Sequence, residues 1–133
     1  MRRHLHGSQR GLATVEAVLV VPLVLVPILL AVVVFGRLEH TRLVVDAAAA
    51  AGARQAAVVG GDAASVRQRI ATELSDGGID PNRAVVLVEP AVAGWGEPIR
   101  VRVEIAEQAG IPFAGNWAVP LSGEFVTRSE VTP

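Results

Sequence analysis

The residues whose types and spacing could support chemistry stand near the amino terminus, where Gly11 precedes Glu16 by five positions. Residues 17–36 follow Glu16 without a single charged or strongly polar side chain. A carboxylate buried in a membrane helix costs about 2.5–3.5 kcal/mol at the centre and less near the interface. If the chain is cut after Gly11, Leu12 becomes a new amino terminus with a positive amine. Glu16 would then be near enough to the terminus to pair with the amine of a neighbouring subunit, so that assembly relieves an unfavourable charge.

A plainer interpretation is that Glu16 lies shallow enough to reach the lipid headgroups and has no further role. The spacing from Gly11 to Glu16 does not decide between the two when it is taken alone. The basic stretch before it and the apolar run after it favour a processed and assembled chain.

The apolar run has the length of a membrane span, because an α-helix rises about 1.5 Å per residue and a bilayer core is about 30 Å thick. Arg2, Arg3 and Arg10 precede it, whereas Arg37 and Arg42 follow it. The excess of arginine before the run predicts a cytoplasmic amino terminus. The run is longer than the apolar core of a secretory signal, so we expect the helix to be retained.

Two prolines, Pro22 and Pro27, interrupt the apolar run. A proline inside a helix removes one backbone hydrogen bond and bends the helix. Membrane helices tolerate such residues, so a local kink without a function is one interpretation. The other is that a kinked and partly loosened helix suits packing in a filament.

Gly11-Leu12-Ala13-Thr14-Val15-Glu16 resembles the prepilin-peptidase site of class III signal sequences, which implies cleavage between Gly11 and Leu12. The longer stretch RGLATVEAVLVVPLVL is similar to TadE-like proteins, the minor pilins (pseudopilins) of tight-adherence, Flp-type pilus systems. The matching features are Arg10, Gly11, Ala13, Val15, Glu16, Pro22, Gly36 and the alanine-rich run 47–54. Position 17, often aromatic in the family, is Ala17. The resemblance covers residues 10 to about 57 and implies a prepilin peptidase, other pilins and pilus-assembly membrane proteins as partners.

Beyond the apolar run, helix-forming residues continue without proline to about residue 59. Ala48, Gly52 and Ala56 form a ladder of small residues that lets another backbone approach closely, in a neighbouring helix or in the chain's own sheet. Glycine pairs and changes in hydrophobic period then predict a second helix and three strands. The predicted divisions are a leader 1–11, an apolar helix 12–36, its continuation 37–59 and a small domain 60–133, with a helix at about 62–76 and strands at about 84–89, 99–106 and 122–131.

These elements predict a pilin-like α+β fold, in which a long amino-terminal helix continues into a domain with a second helix and a three-stranded antiparallel sheet. Asp62 is the expected N-cap of the second helix. Irregular loops are expected at 90–98 and 108–120, with Trp95 and Trp117 anchoring them on the core.

Composition excludes several classes of function. The net charge is −1, with 12 arginines against 13 acidic residues, which argues against a nucleic-acid partner. The absence of cysteine excludes disulfides, thiolate metal sites and cysteine nucleophiles. The sequence has no recognisable enzyme motif, and its histidines, His4, His6 and His40, flank the apolar run. We therefore expect no catalytic residues, no metal site and no cofactor.

The sequence thus predicts a minor pilin or pseudopilin in the cytoplasmic (inner) membrane, with a single span and its carboxy-terminal domain outside the cytoplasm. The alternative is an uncleaved, membrane-anchored binding module that recognises an envelope ligand through its tryptophan loops. An exported hydrolase is a third and more distant hypothesis.

Overall fold

The computed structural model describes residues 9–112 and 114–132, and the side chains of residues 9–14 and 17 are outside this description. Arg2 and Arg3 of the predicted leader lie outside the described residues. The described elements are α1 (Gln9–Val59), α2 (Ala64–Asp76), a short 3-10 helix (Pro81–Arg83), β1 (Ala84–Glu89), β2 (Pro98–Ile111) and β3 (Gly115–Arg128).

Helix α1 is one continuous element that includes both the apolar run and the alanine-rich segment after it. No proline or glycine pair interrupts the segment 37–59, and alanine has the highest helix propensity. The helix ends at Gly60, whose φ of +78° is unfavourable for other residues. The Gly60 N–H donates to the Ala56 carbonyl at 2.8 Å, so the chain turns away with this end of the helix capped.

The three strands form an antiparallel sheet in the order β1-β2-β3. Alternate residues of β2 are buried against the helices, namely Ile99, Val101, Val103 and Ile105. Arg100 and Arg102 point to the other face, where they pair with Glu124 at 3.5 Å and Glu104 at 2.7 Å. Two helices therefore cover one face of the sheet, and the predicted α+β fold class is confirmed.

The predicted extents of the last two strands, 99–106 and 122–131, were wrong, as was the irregular loop at 108–120. Strands β2 and β3 continue as a long hairpin with Ala106 opposite Pro120 and Ile111 opposite Gly115. The glycines and prolines of this region have low strand propensity, which is why the sequence suggested a loop. Cross-strand pairing and packing against α1 override that propensity.

The prediction that Asp62 caps α2 was also wrong. The N-cap is Ala63, which makes no side-chain capping bond. The Asp62 carboxylate instead accepts hydrogen bonds from Arg67 Nε at 3.0 Å and Nη2 at 2.6 Å. This two-pronged bond raises the pKa of Arg67 above its ordinary value. Two charge-assisted bonds to one guanidinium group are stronger than a single bond to a backbone N–H. This difference explains why Asp62 pairs with Arg67 and does not cap α2.

The core lies where α2 and the sheet pack on the second half of α1. The small residues Ala48, Ala49, Ala53 and Ala56 of α1 are fully buried there. Val66, Ile70 and Leu74, the apolar face of α2, pack over them. Small side chains on α1 leave room for larger ones from α2 and β2, so the two layers approach closely.

Gly52 is a position on α1 where this packing leaves no room for a side chain. A methyl group at Gly52 would lie 2.5 Å from Ile70 Cγ1 and 3.3 Å from Val101 Cγ1, whereas one at Gly36, in the same helix, would meet nothing within 4 Å. Both Gly→Ala changes gain the same helix propensity, but only Gly52→Ala must displace core side chains. We expect Gly52→Ala to be less stable than Gly36→Ala by about 1–3 kcal/mol, measured by thermal unfolding of the full chain in detergent. Equal stabilities would show that Ile70 moves aside freely.

Candidate functional site

The first half of α1 lies outside the core and presents apolar side chains to the surroundings. Val18, Leu23 and Phe35 are 65%, 73% and 68% exposed. Among the described residues, α1 is the one helix that is long and apolar enough to cross a membrane, and its most apolar stretch is unburied. An apolar surface of this length is unfavourable in water, so it requires lipid or other apolar helices around it.

The predicted processing site and Glu16 belong to this half of the helix. The Gly11–Leu12 bond lies within α1, two residues after its first described residue, Gln9. The Glu16 side chain is exposed. Ion pairs among the described side chains lie in the region 62–124, away from Glu16.

Pro22 and Pro27 both lie inside the continuous helix α1. They share one face of it with Leu19, Leu23, Val26 and Leu30, and this face forms one wall of an apolar groove of about 440 Å³. The opposite wall is formed by Ile111 and Pro112, at the tip of the β2–β3 hairpin. Sequence reasoning missed this contact because it placed the tip in an irregular loop. The available signal was the absence of charge from residue 108 to residue 123.

Charged and polar residues from α1, the 3-10 helix and β2 line one cleft just beyond the apolar run. Arg37, His40 and Arg83 line a cleft of about 570 Å³ together with Glu107. Arg83 Nη2 donates to the Ala106 carbonyl at 2.9 Å and lies 3.4 Å from the Glu107 carboxylate. His40 Nε2 is 3.2 Å from the carbonyl oxygen of Gly77, at the end of α2. This polar cluster marks the boundary between the apolar half of α1 and the domain.

The small-residue ladder is filled from within the chain. Ala48 and Ala56 are fully buried, and Gly52 lies under Ile70 of α2 and Val101 of β2. A second subunit therefore has no access to these positions in the described structure. The sequence left two packing partners open, a neighbouring helix and the chain's own sheet; in the described structure the sheet packs there, and α2, which was not expected, packs there with it.

The two tryptophans differ from the expectation that they anchor loops on the core. Trp95 is 69% exposed in the loop between β1 and β2, and Trp117 lies on strand β3 and is 44% exposed. The loop around Trp95 is held by backbone bonds instead, since Ala93 N–H donates to the Gly60 carbonyl at 2.8 Å. Both rings are therefore available for contacts outside the chain.

The described side chains form no group of three or more His, Asp or Glu residues arranged to hold a metal ion. The arrangement is that of an assembly or membrane surface, with an apolar helix face, a charged boundary and a packed domain.

Comparison with known proteins supports the resemblance seen in the sequence. Residues 11–54 match the family model described as TadE-like protein. No curated protein and no solved structure matches the chain. The matched region begins at the glycine of the predicted processing site and ends within the alanine-rich segment of α1, so it spans the whole apolar surface. The match agrees with the suspected family: over residues 11–54, about a third of the chain, the sequence is similar to the TadE-like proteins, a family associated with tight-adherence pili.

Proposed function

We propose that this chain is a minor pilin or pseudopilin of a Flp-type pilus or a related secretion apparatus. The observation that carries the proposal is the position of the family match, which covers the Gly11–Leu12 bond, Glu16 and the exposed apolar half of α1. Pilins assemble through such helices, which pass from lipid into a bundle of similar helices. The domain at the other end of α1 would then be displayed on the filament or at its base.

In this mechanism the chain inserts with Arg2, Arg3 and Arg10 on the cytoplasmic side and the domain on the other side. A prepilin peptidase cuts between Gly11 and Leu12 and removes most of the positive charge that holds the amino terminus at the cytoplasmic surface. The new terminus carries a single amine at Leu12. The helix is then free to leave the lipid for neighbouring pilins and pilus-assembly membrane proteins.

Glu16 sets the axial position of each subunit in this proposal. An exposed carboxylate next to a long apolar surface is disfavoured in lipid but is stabilised by a neighbour's amine at close distance. The pair favours one axial offset between adjacent helices, since at low dielectric constant each ångström of added separation between the two charges loses more Coulomb energy than it would in water. The absence of other charges between Glu16 and Arg37 leaves no competing partner along the apolar surface.

A second candidate is an uncleaved, membrane-anchored binding module. The observation in its favour is Trp95, which is 69% exposed in a loop at the end of the domain far from the apolar helix. Exposed tryptophans are common at the centre of binding surfaces. In this alternative α1 serves only as an anchor, and Glu16 only as a residue near the headgroups.

Processing distinguishes the two candidates. We expect the protein, expressed with its native prepilin peptidase and extracted from membranes, to have an intact mass that corresponds to a chain starting at Leu12. Gly11→Val should abolish cleavage because it places a bulky residue at the scissile bond, whereas Gly7→Ala, in the same leader, should leave cleavage unchanged. A wild-type chain that still begins at Met1 would support the anchor instead.

Replacing Glu16 tests the axial pairing. Glu16→Gln should insert at least as well as the wild type, because a neutral side chain costs less in lipid. Its incorporation into pili should fall by roughly tenfold or more, equivalent to at least about 1.4 kcal/mol. Quantitative immunoblotting of sheared pili against the membrane pool measures both effects.

Glu39→Gln is the matched control, since Glu39 is an exposed glutamate of α1 beyond the apolar run. It should assemble as the wild type does. Full incorporation of Glu16→Gln would rule out the pairing, whereas equal losses for both variants would indicate a general effect of charge on α1.

A further inference from the structure

The β2–β3 hairpin runs along α1 toward the amino-terminal end of the helix. A methyl group at Gly123 of β3 would lie 2.8 Å from the Val45 carbonyl oxygen, so the strand touches α1 at that level. Nearer the tip, Ala109 and Gly110 share a small cleft with Val34 of α1. At the tip, Ile111 and Pro112 line the groove on the apolar face of α1.

Strand geometry agrees with this path. The eight residue-to-residue steps from Gly123 to Gly115 extend about 26 Å at about 3.3 Å per step. The same length of α-helix is about 17 residues, so a strand that leaves α1 at Val45 ends beside the apolar run. Leu30, the groove residue nearest the domain, is about 10 Å along α1 from Arg37.

The charges of the hairpin and of α1 end at the same level. Glu107 is the last charged residue of β2 before the tip, and β3 has no charge before Glu124. Glu107 lines a cleft with Arg37, the first charge of α1 beyond the apolar run. Past this level neither element carries a charge until Glu16, and the hairpin offers Ile111, Pro112 and Trp117 among its apolar residues.

We propose that the tip of the β2–β3 hairpin, residues 109–112 and 114–121, is a second lipid-contacting element, which enters the bilayer leaflet on the domain side next to α1. It shares the apolar surroundings of the helix because it lies against the same face and stops carrying charge at the same level. This inference goes beyond the pilin proposal: it requires α1 to be in a membrane and does not require processing or assembly.

Trp117 is placed as an interfacial anchor. It lies opposite Ala109 in the register of β2 and β3, close to the level of Val34 and just past the charged boundary. Its ring is 44% exposed, so it contacts the surroundings. Tryptophan is enriched where hydrocarbon meets the headgroups, since its ring is apolar and its N–H is polar.

The backbone of the hairpin limits how deeply the tip enters. Unpaired N–H and C=O groups at a strand edge are costly in hydrocarbon. Pairing between β2 and β3 satisfies one edge of each strand, and Pro112 and Pro120 have no N–H to leave unpaired. The remaining edge groups favour entry into one leaflet only, where headgroups and water are near.

Trp95 is the internal control for this placement. The loop that carries it is bonded to Gly60, which lies about 35 Å along α1 from Arg37 on the domain side. Trp95 should therefore remain in water while Trp117 contacts lipid. Because the chain has two tryptophans, Trp95→Phe reports Trp117 alone and Trp117→Phe reports Trp95 alone.

The test is tryptophan fluorescence of the two full-length variants in phosphatidylcholine and phosphatidylglycerol vesicles, with brominated acyl chains as the lipid quencher and acrylamide as the aqueous quencher. Trp117 should emit at shorter wavelength than Trp95 and be quenched several-fold more by brominated lipid and several-fold less by acrylamide. Equal acrylamide quenching of the two rings would overturn the proposal. Protection from acrylamide without quenching by brominated lipid would also overturn it, in favour of a protein partner such as a second copy.

Charge at the tip gives a second measurement. In the Trp95→Phe background, Ala114→Glu should reduce lipid quenching of Trp117 and shift its emission to longer wavelength, whereas Ala91→Glu in the distal loop should change neither. Flotation of the same vesicles measures membrane insertion of α1 separately. A chain that floats but whose Trp117 is not quenched by brominated lipid contradicts lipid contact at the hairpin tip alone. A chain that fails to float contradicts membrane placement of α1 and of the tip together.

Discussion

The close contact between the small-residue face of α1 and the layers above it is the constraint on which the rest of the structure depends. Gly52 allows Ile70 of α2 and Val101 of β2 to reach the helix backbone, and Ala48 and Ala56 are buried on either side. Larger residues there would hold α2 and the sheet away from α1. The chain has no cysteine and therefore no disulfide, so the stability of the domain depends on apolar packing against this one helix.

That contact also fixes the position of the domain along the axis of α1. Because α1 is continuous from Gln9 to Val59, an unbroken helix joins the sheet that packs on its second half to its apolar half. A long hairpin extending from this sheet then has one direction to follow, along α1 toward the apolar groove. A flexible linker after the apolar run would have separated the two ends of the molecule, and the tip would have been free of the membrane surface.

The charged residues also mark the boundary between the apolar half of α1 and the domain. Arg37, Arg83 and Glu107 gather where the apolar half of α1 meets the domain, and Glu16 lies at the far end of the apolar surface. The surface between them is exposed and apolar, so both lipid and other apolar helices are suitable surroundings for it. In the function we propose, the chain first resides in a membrane and then joins a bundle of helices, and Glu16 is the group that distinguishes the two environments.

The sequence alone determined the elements whose cause is local. Twenty residues without charge require an apolar environment, the alanines before Gly60 form a helix, and alternating residues in 99–105 form a half-buried strand. The motif around Gly11 and Glu16 likewise predicted the family, because that signal lies in neighbouring residues. Tertiary structure alone decided the features that depend on distant partners. Asp62 bonds Arg67 instead of capping α2, the glycine- and proline-rich stretch 108–120 becomes paired strand, and the hairpin tip meets the apolar face of α1. Local propensity was too weak to predict these, since cross-strand hydrogen bonds and apolar contacts formed across the fold outweigh it.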